Sequence, residues 1–123
     1  MPATDKLRDF ITASFRSVWA LELLCLLRRN RDRSLSQEEM VSGLRASQLV
    51  VTQGLDALSA AGLVVLEADG AARYGPASKA LDDLVAETEE FYARSPDAVR
   101  RIIVAAGNPG LTAFANAFRL RRD

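Results

Sequence analysis

Apolar residues recur three and four positions apart along most of this chain, and one short stretch breaks the rhythm. Leu7, Phe10, Ile11, Phe15, Val18, Trp19, Leu23, Leu26 and Leu27 draw one broad helical stripe over residues 4–30. Ser14 and Ser17 can each cap a second helix, so a break near one of them is expected. Only Glu22 interrupts the apolar letters over residues 21–27, which predicts a helix buried on more than one side. Ser36 with Glu39 three positions later is a capping box for a helix over 37–45. Ala46 and Ser47 break that helix, and Ser47 caps the next, whose apolar positions Val51, Leu55 and Leu58 run to an end at Gly62.

The period then changes. Residues 63–67 are β-branched and apolar, Asp69-Gly70 is a turn dipeptide, and residues 72–75 can return as a partner strand, which predicts a small hairpin. Beyond Pro76 the helical spacing resumes. Ser78 caps a long helix with Leu81, Leu84, Val85, Thr88, Phe91 and Tyr92 on one side. Ser95-Pro96 opens another with Val99, Ile102 and Ile103, which residues 107–110 end sharply. A final helix is expected over 111–119, carrying Leu111, Phe114, Ala115 and Phe118. The pattern predicts a mainly α chain with one small β-hairpin, organised as a single domain over residues 1–123.

Leu55, Leu58, Ala61, Gly62, Leu63 and Val64 form the pattern LxxLxxAGLV. With the helix-turn-helix before them they resemble the winged helix-turn-helix superfamily, as seen in MarR-like bacterial transcriptional regulators. The likeness covers residues 15–76, leaving 1–14 and 77–123 as flanking helices and a candidate dimerisation region. It implies that the second helix enters the major groove, that the hairpin is a wing along the DNA backbone, and that residues 34–35 supply a brief strand pairing with it. It also implies a homodimer matched to a palindromic site. Carried over by position, Gln48, Thr52 and Gln53 face bases, with Leu49, Val50 and Asp56 exposed beside them, and Arg45, Arg73, Arg28, Arg29, Arg31 and Arg33 face phosphates.

Charge changes this picture. Lys plus Arg equal Asp plus Glu over the whole chain. Residues 34–75, however, hold Arg45 and Arg73 against Glu38, Glu39, Asp56, Glu67 and Asp69, a net of minus three. Neutralising phosphates supplies most non-specific DNA affinity, so the count weighs against a polyanion partner. The arginines over 28–33 have two readings, a phosphate-contacting loop or a helix end that complements its own macrodipole. An alternative function follows, a non-enzymatic protein-interaction module in which Leu49, Val50 and the acidic wing meet a protein partner. The acidic side of the helix over 78–90, one Lys against five carboxylates, is either a solvated face or a dock for a basic segment. A ligand-responsive regulator with an apolar pocket between the first helix and the C-terminal helices is compatible with either function.

Catalytic chemistry is hard to assemble from these residues. Without histidine and with Cys25 alone, the common zinc sites and a histidine general base are excluded. Lys6 and Lys79 follow no glycine-rich phosphate loop, and adjacent carboxylates such as Asp82-Asp83 point apart on a helix. No enzyme activity and no cofactor are expected. Cys25 reads as a small core residue. A lone cysteine with no apolar leader predicts a reducing, cytoplasmic setting, and the apolar run over 18–27 is too short for a membrane span.

Overall fold

The computed structural model describes residues 2–106. In chain order they form α1 (Pro2–Ser14), α2 (Val18–Arg29), α3 (Gln37–Leu44), α4 (Gln48–Ala60), β1 (Val64–Leu66), β2 (Ala72–Tyr74), α5 (Lys79–Arg94) and α6 (Pro96–Ala106). The chain is therefore mainly helical, with a two-stranded antiparallel sheet. The helix expected over 111–119 lies outside the described residues.

Local chemistry sets the boundaries. Ser17, Ser36, Ser47 and Ser78 each accept from a backbone amide three residues on, and the Ser36–Glu39 capping box closes in both directions. Of the two serines able to break the first stripe, Ser17 is the cap; α1 ends at Ser14 and α2 leaves it at 98°. Phe15 fills the corner, fully buried and edge-on to Phe10 at 6.0 Å. α4 ends by bonds from Gly62 N to Ser59 O and Leu63 N to Leu58 O, both 3.0 Å, with Gly62 at φ +76°.

α2 is the central helix. Ala20, Leu21, Leu23, Leu24 and Leu27 are buried, and α3, α4, α6 and β2 all pack on it. Val51, Leu55 and Leu58 of α4 press on this helix, where burying each side chain contributes about 1.5–3 kcal/mol before entropy is charged. The hairpin pairs Val64 with Tyr74 and Leu66 with Ala72, and Leu35 adds the single bridge to Ala72 anticipated for residues 34–35.

α1, α5 and α6 pack against one another and close the remaining side through Phe10, Ile11, Val85, Val99 and Ile103. The apolar stripes of these three helices thus contribute to the core of one chain. Trp19 departs from the predicted core stripe: at the first turn of α2 it is 44% exposed. No single helix among the described residues is long and apolar enough to cross a membrane.

Candidate functional site

The surface of interest is built by α3, the turn after it, α4 and the hairpin. α3 ends at Arg45, whose backbone is left-handed at φ 55°, ψ 42°, the only non-glycine with positive φ among the described residues. Arg45 N donates to Ser42 O and Ala46 N to Val41 O, at 3.3 and 3.2 Å, a closure that glycine ordinarily makes. This turn brings Ser47 into position to cap α4 through Val50 N at 3.2 Å.

α4 puts Val51, Gly54, Leu55 and Leu58 inward, so the opposite face goes to solvent. Gln48, Leu49, Thr52, Gln53 and Asp56 are exposed there, Leu49 at 65%. Val50 is not the second exposed aliphatic expected. One position before Val51, it lies on the edge of the buried stripe and is half-buried. Thr52 is exposed, but its hydroxyl donates to Gln48 O at 2.9 Å, leaving its methyl and lone pairs outward.

The hairpin is tied to the start of α3. Gln37 Nε2 donates to Gly70 O at 3.2 Å, and Ser34 Oγ bonds Glu67. At its tip Asp69 Oδ1 accepts from Ala71 N at 3.0 Å, so this carboxylate serves the turn. Arg73 is exposed at the centre of β2.

The six arginines expected at phosphates divide. Arg28 is drawn inward: it pairs with Glu89 of α5, sits 5.8 Å over the Tyr74 ring, and is one-fifth exposed. It therefore leaves the phosphate-facing set, because α5 packs close enough to supply a carboxylate. Arg33 bonds Glu39 at 2.7 Å. That pair, with the Ser36 amide, holds the Glu39 carboxyl down at about 2, and Arg33 serves α3 first. Arg29, Arg31, Arg45 and Arg73 are exposed and make no ion pair among the described residues. Counting Arg33 together with its partner Glu39, residues 33–75 carry a net charge of minus two.

Sequence reasoning missed the cluster beneath the hairpin. Tyr74 hydroxyl donates to Asp82 Oδ1 at 2.6 Å, and burial together with that carboxylate pushes the phenol well above its usual range. Cys25 lies alongside. Burial first, then Glu89 and Glu22, push its thiol up to about 12, far from the thiolate that a nucleophile needs. The seven-residue spacing of Asp82 and Glu89 was the available signal, since it puts both on one side of α5.

Elsewhere, a cleft of about 590 Å³ between α1, α5 and α6 is lined by Phe91 and Ile102 with Arg8, Thr12 and Arg101. It occupies the place expected for a ligand pocket but carries cations at its walls. No group of three or more metal-ligating side chains occurs among the described residues. No family model matches this chain, and neither curated proteins nor solved structures give a match.

Proposed function

We propose that the protein is a small winged-helix transcriptional regulator that binds duplex DNA, with α4 entering the major groove and the hairpin lying along the backbone as the wing. The observation that carries this reading is Arg45. It is exposed, two residues ahead of the α4 cap, and held in a left-handed conformation that glycine adopts without the steric penalty. Fold alone favours glycine there; a phosphate beside the start of α4 favours arginine.

Gln48 and Gln53 each offer an amide able to pair with adenine, and the Thr52 methyl suits a thymine methyl. Arg73 on the wing and Arg29 and Arg31 after α2 supply the remaining phosphate contacts. The affinity should be modest, because of the six arginines expected at phosphates only these four are exposed and free of an ion pair among the described residues. If all four reach phosphates, log affinity falls against log salt with a slope of about −3.6. A homodimer on a palindromic site belongs to the same proposal.

Fluorescence anisotropy of the purified protein with a labelled pool of duplex from its own promoter region, at two salt concentrations, tests the reading. Binding that weakens with salt is expected. Absence of binding at low salt by a folded protein would sink it.

The second reading, a protein-interaction module, is favoured by one observation, the 65% exposure of Leu49 on the outward face of α4. In that case Leu49→Asp abolishes capture of the partner without unfolding the domain. A partner retained by this variant would count against it.

A further inference from the structure

The hairpin is too small to hold itself. Each strand has three residues, and a ribbon of two such strands is marginal in water. Val65 and Leu66 are exposed, at 36% and 44%, so two of the three side chains of β1 gain little from burial. Its inward residues are Val64, Ala72 and Tyr74. Of these, Tyr74 alone carries a polar group, and that group reaches another element.

α5 supplies two carboxylates here, one to Tyr74 and one to the arginine above its ring. Asp82 and Glu89, seven positions apart and so on one side of the helix, are half-buried, whereas Asp83, Glu87 and Glu90 are exposed. Asp82 accepts the Tyr74 hydroxyl at 2.6 Å, and Glu89 holds Arg28 of α2, whose guanidinium lies 5.8 Å over the same tyrosine ring. Hydroxyl, ring, guanidinium and two carboxylates thus join β2, α2 and α5 in one network. A hydrogen bond to a charged acceptor away from bulk water is worth more than a neutral surface one.

We propose that Tyr74 is a positioning residue: bonded to Asp82 and lying under the Glu89-held Arg28, it fixes the β2 end of the hairpin to α5, in addition to the ties from Gln37 and Ser34, so the order of the hairpin depends on α5 and not only on its own ladder. Any contact that draws Asp82 away from the hydroxyl, or Glu89 away from Arg28, loosens the hairpin. The proposal rests on these contacts and stands whether or not α4 reads DNA.

Amide hydrogen exchange of the full chain, read by NMR, tests it. The reporters are Leu35 N bonded to Ala72 O at 2.8 Å, Ala72 N to Leu35 O at 3.0 Å, and Gly75 N to Leu63 O at 3.1 Å. Tyr74→Phe keeps the ring under Arg28 and removes only the hydroxyl. Asp82→Ala removes the acceptor, and Asp82→Asn returns an acceptor oxygen. Tyr74→Phe and Asp82→Ala should each speed exchange of the reporters by about tenfold, with the α2 core amides unchanged. Combining them should add little beyond either alone, and Asp82→Asn should restore most of the protection. Unchanged reporters in both single variants would overturn the proposal. So would an equal acceleration throughout α2, or Asp82→Asn behaving like Asp82→Ala.

Discussion

At the scale of single residues, two arginines that look equivalent in sequence do different work. Arg33 spends its charge on Glu39, and Arg45 has no ion-pair partner among the described residues. The Glu39 carboxyl is held down from 4.5 to about 2, by Arg33 first and the Ser36 amide second. A carboxyl depressed on folding gives stability that is present above its unfolded value and lost as pH falls through its folded one. The capping box of α3 should therefore weaken between about pH 4.5 and 2. An NMR titration should place the Glu39 midpoint near 2 and, in Arg33→Ala, move it back toward 4.5. A midpoint unmoved by Arg33→Ala would show that the pair is not formed in solution. Arg45 gives a different test. Arg45→Gly relieves a left-handed arginine and should raise stability by about 1 kcal/mol in urea unfolding, while lowering DNA affinity. A variant that is more stable and binds DNA as before would remove the main support for the regulator reading.

At the scale of elements, what was legible in the sequence is what is decided locally. Ser17, Ser36, Ser47 and Ser78 act on amides three residues away, and Asp69-Gly70 turns on itself, so spacing alone located α2 to α5 and the hairpin. Arg28 was misread because its partner, Glu89, lies 61 residues away, and only the packing of α5 beside α2 brings them together. Val50 was misread because neighbouring helical positions differ by about 100°, which is enough to carry a residue from solvent to the edge of a core. The close packing of α4 on α2 was equally invisible: a Cβ on Gly54 would stand 3.1 Å from Leu23 Cδ2 and 3.7 Å from Ala20 Cα. Gly54→Val should overpack this contact and cost about 1–3 kcal/mol, seen as a lower urea midpoint. Equal or greater stability would show that the two helices can separate freely.

At the scale of the whole molecule, the described helices α1, α5 and α6 complete the core that α2, α3 and α4 begin, leaving α4 and the hairpin with a face turned outward. That face is mostly polar, slightly acidic over residues 33–75, and carries Arg45 and Arg73, with the exposed aliphatics Leu49 on α4 and Val65 and Leu66 on the hairpin. Under the proposed function this face contacts DNA. The most direct measurement is an NMR titration of the isotope-labelled chain with a duplex from its promoter region. Shifts concentrated on Gln48, Thr52, Gln53, Arg45 and Arg73, reversed by added salt, are the predicted result. A folded protein whose spectrum does not change at low salt, or whose shifts fall on α1 and α6 instead, would contradict it.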